Sequence, residues 1–409
     1  MNRRHLLAGL GLGGLAGLLS GRRARAAGVD DPLLIVYFVK GGWDPSYVFD
    51  PHPLSAVIQG DPESELVEVG GIPLAVAASR PAVTDFFAAY GPQSVVVNGV
   101  AVGSISHVTC TRLMYTGALV EGSADMASWI GAGRGAGQIL PNLILSGPRF
   151  PGAFGASAIP LSSLLFGVAQ GQSPAGAAYV ADDEAAIRDW LRGEAEGLRF
   201  PGASALGADL VTGLGRRAEL EAVAGEFDGY TGVTEAEQVG AALTALSLGL
   251  SRCVCLEGDV PGFGQWDSHQ DNAGNQSRCY EHLFGRLSTL MAGLSATAGP
   301  AGGSLLDQTT VLVLSEMGRT PVENAAGGKD HWPYTSALLV GAGLDGGRVV
   351  GATDDSLVGL AVDPEDGLPT EAGARIGPAE LLAGLLERFD IDPDPIWPGV
   401  RPLRAPWSG

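Results

Sequence analysis

Leu33-Leu-Ile-Val-Tyr-Phe-Val-Lys-Gly-Gly-Trp-Asp44 is an unbroken apolar run that stops at a lysine, two glycines, a tryptophan and a carboxylate. An apolar run that is continuous, not alternating, belongs to a strand covered on both faces, as in a parallel sheet between helices. The glycines allow a sharp turn and close approach of the backbone, so Asp44 is expected at the carboxyl end of that strand, where ligands gather in open α/β sheets. Asp44 has a second reading there, as the cap of a following helix.

The same texture recurs outward from this stretch. Apolar runs at Ser94 to Val100, Leu143 to Ser146, Arg252 to Glu257, Thr309 to Ser315 and Ser336 to Val340 read as further strands. Helical composition marks Ala82 to Ala89, Val108 to Thr116, Glu184 to Leu198, Gly207 to Phe227, Glu235 to Leu248, Gln276 to Leu294 and Pro378 to Phe389. Pro378 suits a first helical position and Glu380 the positive end of the dipole. Strands alternating with helices imply an α/β fold with a largely parallel central sheet covered on both faces. Residues 150–234 differ, being rich in Gly and Ala without a long strand pattern, and are expected to form an insertion or lid. Gly131-Ala-Gly-Arg-Gly-Ala-Gly137 lacks the Gly-Lys-Ser/Thr ending of a phosphate loop and reads as turns.

With 45% hydrophobic and 17% charged residues, the 409-residue chain can bury a large core, so disorder is not the expectation. Asn2-Arg3-Arg4-His5-Leu6-Leu7, an apolar run to Ser20 and Arg22-Arg23-Ala24-Arg25-Ala26-Ala27 read as a twin-arginine signal over residues 1–26, cleaved near Ala26. The expected mature domain is 27–409, with no stable membrane span after processing, exported through the twin-arginine translocase to the periplasm or beyond. The alternative for the apolar run is an uncleaved anchor. The formal charge of -20 becomes -25 once the five arginines of the signal are removed, so nucleic acid is not an expected partner. Cys110, Cys253, Cys255 and Cys279 are too few for a disulfide-built fold, and Cys253 and Cys255 share a strand face, best read as buried apolar residues.

The chemistry is concentrated in three more places. Trp266-Asp-Ser-His269 puts Asp267 and His269 two apart, so that on an extended backbone both reach one ion; an exposed polar loop is the plainer reading. Glu316 ends the run from Thr309 to Ser315 and is either a ligand or a partner of Arg319; an ion pair alone contributes only ~0.5 kcal/mol, which favours the ligand. Gly327-Gly328-Lys329-Asp330-His331 reads as a flexible loop returning His331 over the sheet, with Asp330 orienting its ring. Asp44, Asp267, His269, Glu316 and His331 would suit one or two divalent ions of zinc or manganese character. His52 and His282 adjoin none of these segments and read as ordinary histidines.

The ordered set Gly-Gly-x-Asp44, Ser106-His107, Trp-Asp-Ser-His269, Ser-Glu-Met-Gly-Arg-Thr320 and Gly-Gly-Lys-Asp-His331 resembles the exported bacterial family known as domain of unknown function 1501, within the alkaline phosphatase and sulfatase-like superfamily. The resemblance spans nearly the whole mature chain. It implies an alkaline-phosphatase-like three-layer sandwich, with Asp44 as the aspartate after the first strand, Asp267 and His269 as the middle pair, Glu316 as the late carboxylate and His331 as the last histidine. It also places a nucleophile at the amino end of the helix after the second strand, where Ser106 comes first and Thr109 second. Ser106 as a cap with His107 as a ligand is the competing assignment. Cys110 lacks the Cys-x-Pro-x-Arg context of sulfatase maturation, and Glu316 stands where an Asp is usual. The implied activity is metal-dependent hydrolysis of a phosphate or sulfate ester, small-molecule or glycan, with Arg319 neutralising the departing anion. The alternative is a non-catalytic, metal-stabilised binding or envelope-assembly protein.

Overall fold

The apolar run from Leu33 forms strand β1 (Leu33–Val39), buried on both sides. In the computed structural model, residues 31–155, 157–160, 234–258 and 265–408 are described, together with scattered positions between 189 and 232. The proposed signal, most of the 150–234 segment and most of the expected helices Glu184 to Leu198 and Gly207 to Phe227 lie outside the described residues. Seven further strands join β1 in one sheet: β2 (Ser94–Ala101), β3 (Asn142–Ile144), β4 (Ala158–Pro160), β5 (Cys253–Glu257), β6 (Thr309–Ser315), β7 (Tyr334–Gly341) and β8 (Arg348–Val350). Their spatial order is β8-β2-β7-β6-β1-β5-β3-β4. β1 pairs in parallel with β5 and β6, whereas β7 runs antiparallel to both β6 and β2. The sheet is therefore mostly parallel, with β7 reversed.

Side chains alternate across β1 into two cores. Leu33, Ile35, Tyr37 and Val39 meet helices α1 (Pro81–Tyr90), α4 (Glu235–Ser247) and α5 (Asn272–Ala296). Leu34, Val36 and Phe38 meet α2 (His107–Thr116), α3 (Met126–Gly133) and α6 (Pro378–Arg388). Helices on both faces of a sheet give three layers, as the alternation of strand and helix requires. α4 starts with a capping box in which Thr234 and Glu237 each bond the other's backbone N–H. Gly131-Ala-Gly133, read as turn from sequence, instead ends α3, where a Cβ on Gly131 would come within 2.9 Å of Asn142 Cβ. All four cysteines are buried free thiols.

The reversed strand decides where chemistry collects. The carboxyl ends of β1, β2, β5 and β6 lie at one edge, and the antiparallel β7 places its amino end there too. Segments entering or leaving that edge carry Asp44, His107, Asp267, His269, Glu316 and His331. Among the described residues no helix is long and apolar enough to cross a membrane.

Candidate metal centre

Three loops bring the histidines together. The first begins with Gly41 (φ +124°) and Gly42 (φ +82°), where a Cβ would come within 2.8 Å of Trp266 Cβ or 2.9 Å of Met317 Cγ. Only glycine meets both demands, positive φ and close approach. In the last, Gly328 lies so close to His269 that a Cβ would overlap its carbonyl carbon. Lys329 N–H donates to Ser268 O, and Gly318–Arg319 forms a short antiparallel ladder with His331–Trp332. The segment expected as a flexible loop is thus pinned on both sides.

Three imidazoles converge on one carboxylate. Nε2 of His331, His269 and His107 lie 3.1, 3.2 and 3.4 Å from the Asp267 oxygens, and the Nε2 atoms of His269 and His331 are 3.0 Å apart. Ligand atoms of His107, Asp267 and His331 all fall within 4.8 Å of one another, with His269 adding its nitrogen against two of the three. Each ring is oriented from its far side: His107 Nδ1 lies 2.7 Å from Glu316, His269 Nδ1 2.9 Å from Asp330, and His331 Nδ1 2.8 Å from the Ile105 carbonyl. Those partners accept hydrogen bonds, so in a neutral ring the proton resides on Nδ1 and the Nε2 lone pair faces the cluster. Two such lone pairs and a carboxylate oxygen repel one another at these distances unless a proton or a metal ion lies between them. Donors bound at about 2.1 Å to a tetrahedral ion are separated by about 3.4 Å, close to the separations here, so the residues fit a divalent ion of zinc or manganese character.

Charge at the cluster is arranged to keep Asp267 ionised. Partial burial pushes its carboxyl up, but the hydrogen bond and charge of Arg319, with the His331 contact, outweigh this and hold it at about 2. The Glu316 hydrogen bond, opposed by burial, raises His107 above its ordinary value, and the bond from His269 followed by that from Asn324 lowers Asp330. The Asp267 and His269 side chains are 44% exposed and those of His107 and His331 are 32% and 20% exposed, so the cluster opens to solvent.

Three of the expected site residues are fully buried behind the open cluster. Asp44 does not join the cluster: it is fully buried, caps the turn Pro45–Tyr47 through Ser46 N–H and pairs with Lys329 Nζ at 2.7 Å. The alternative reading of Asp44 as a cap is what the structure displays. Glu316 is fully buried behind His107, accepting also from Gly41 N–H at 2.9 and 3.0 Å, so it orients the His107 ring from the side away from Asp267. Arg319 is fully buried, donating to Gly41 O, to Gly42 O at 2.8 Å, to Lys329 O at 3.1 Å and to Asp267 at 2.7 Å. It ties the loops together from a fully buried position. His107, considered from sequence only as an additional candidate, enters the cluster directly. Ser106 occupies the cap position of α2 with no capping bond from its hydroxyl, and Thr109 lies half-buried in the first turn. Lys329 went unrecognised as a partner, although it stands inside the quoted Gly-Gly-Lys-Asp-His segment. Its burial has no local sequence signal.

The molecule is therefore an α/β protein with a solvent-open imidazole and carboxylate cluster at the carboxyl edge of its sheet. Residues 238–368 match the family described as protein of unknown function (DUF1501). That span carries Asp267, His269, Glu316, Arg319, Lys329, Asp330 and His331, whereas Asp44 and Ser106-His107 precede it. The match supports the family resemblance read from the motifs. No curated protein matches the chain.

Proposed function

We propose that the protein is a metal-dependent hydrolase of phosphate or sulfate esters, of alkaline-phosphatase-like fold, exported by the twin-arginine translocase to the periplasm or beyond. The observation that carries the reading is the convergence of three Nε2 atoms on Asp267, each ring held at Nδ1 by a separate acceptor. His107, Asp267, His269 and His331 would hold a divalent ion, which would supply Lewis-acid polarisation of the ester. Beside it, the amino end of α2 offers free backbone N–H groups to an anion, and the Ser106 hydroxyl is not spent on a cap. In the proposed reaction Ser106 Oγ bonds to phosphorus or sulfur, its proton passes to the leaving alkoxide, and the alcohol departs. Water then releases phosphate or sulfate and restores the serine.

The test is hydrolysis of aryl phosphates and aryl sulfates by the metal-loaded mature protein. Activity lost in Ser106→Ala and kept in His52→Ala supports the proposal. A metal-loaded protein that is inert toward both ester classes, yet loses stability with chelator, overturns the hydrolase and favours the metal-stabilised binding protein.

A further inference from the structure

We infer that the centre holds a single divalent ion, and that the Lys329 ammonium permanently fills the neighbouring cation position around Asp44. The inference rests on the metal-centre reading above and fixes its stoichiometry. Asp44 and Lys329 are both fully buried and are paired at 2.7 Å. Every remaining acceptor site on Asp44 is committed: Oδ1 accepts from Ser46 N–H at 3.1 Å and Ser46 Oγ at 2.7 Å, and Oδ2 from Asn272 Nδ2 at 2.9 Å.

The oxygens that surround the pair are committed as well. Asn272 Oδ1 accepts from Ser268 Oγ at 2.6 Å, and Gln276 Oε1 accepts from the Asp44 N–H at 2.8 Å. The ammonium also lies 3.3 Å from Ser46 Oγ and 5.5 Å from the Tyr47 ring centroid, a face that attracts cations. A divalent ion at Asp44 would have to expel this ammonium from a buried, fully bonded position, or share one carboxylate with it in a region of low dielectric. Neither gives the three or four free donors that zinc or manganese requires. The backbone around Lys329 is fixed too, its N–H on Ser268 O and its carbonyl on Arg319, so the cation cannot swing away without disturbing Asp267. A fixed ammonium therefore occupies the place at Asp44 that a second ion would need, and chelators cannot remove it.

The experiment is elemental analysis of the full mature protein saturated with zinc and freed of excess by gel filtration. One ion per chain is expected, lost in His331→Ala and retained with unchanged dissociation constant in the charge-neutral double variant Asp44→Asn/Lys329→Met. Two ions per chain in the wild type, one of them lost in Asp44→Asn, overturns this inference while leaving the metal centre standing. No ion in the wild type overturns the metal-centre reading beneath it. The wild-type count alone decides between one and two, so the test does not depend on the folding of any variant.

Discussion

Replacing Lys329 with methionine leaves the Asp44 carboxylate buried without its cation, a change whose cost the structure sets. Both side chains are fully buried, and the carboxylate cannot turn to water because Ser46 and Asn272 hold its two oxygens. Removing one member of a buried ion pair costs about 3 to 5 kcal/mol, while replacing both members is often close to neutral. Lys329→Met should therefore lose about 3 to 5 kcal/mol, and Asp44→Asn/Lys329→Met should regain most of it, within about 2 kcal/mol of wild type. Equilibrium urea unfolding, with chelator in every sample, reads this directly. With a slope of about 3 kcal/mol per molar urea, the single variant's midpoint should fall by about 1 to 2 M. A single variant within about 1 kcal/mol of wild type, or a double variant no more stable than the single, would refute the argument that this pair is isolated from water and mutually compensating.

Glu316→Gln keeps the size of the residue behind His107 but not its charge, and should weaken zinc binding by about 10- to 100-fold in calorimetric titration, with little change in the fold. Gly42→Ala places a methyl 2.9 Å from Met317 Cγ at φ +82°, so it should destabilise by about 1 to 3 kcal/mol in urea and lower zinc affinity. Burial pushes all four thiols up, Cys279 to about 12, so a thiol reagent at pH 8 should modify none in the folded protein and all four in denaturant. His52 titrates above its ordinary value through its bond to Asp50; its stabilising contribution should be complete below about pH 6.5 and be lost as pH rises through the raised folded value, a step absent from urea midpoints of His52→Gln. Arg3→Lys/Arg4→Lys should retain the precursor in the cytoplasm, read by cell fractionation.

β1 and β6 were legible to the residue because each is an apolar run closed by a charged residue, Lys40 after the first and Glu316 after the second. The mostly parallel sheet followed from such runs alternating with helices. The direction of β7 did not, since an apolar run carries no polarity, yet that reversal brings His331 to the edge where the other strands end. α3 escaped notice because its Gly131 and Gly133 resemble turn residues, and only the Asp125 cap marks its start. Asp267, His269 and His331 could be singled out as residues that the fold gathers, because polar residues beside strand ends have few structural reasons to be there. The division between ligand and support was not legible. Asp44 can cap, pair or ligate, and its role is decided by Lys329 from a distant loop. Glu316 and His107 are likewise sorted only by geometry, since the buried carboxylate reaches Nδ1 and leaves Nε2 toward Asp267.

X-ray absorption of the zinc-loaded protein at the zinc edge tests the central claim most directly. The account predicts a nitrogen and oxygen shell at about 2.0 to 2.2 Å with the outer scattering of three imidazoles, one of which disappears in His269→Ala. A shell containing sulfur, one with no imidazole scattering, or a protein that takes up no zinc at all would contradict it.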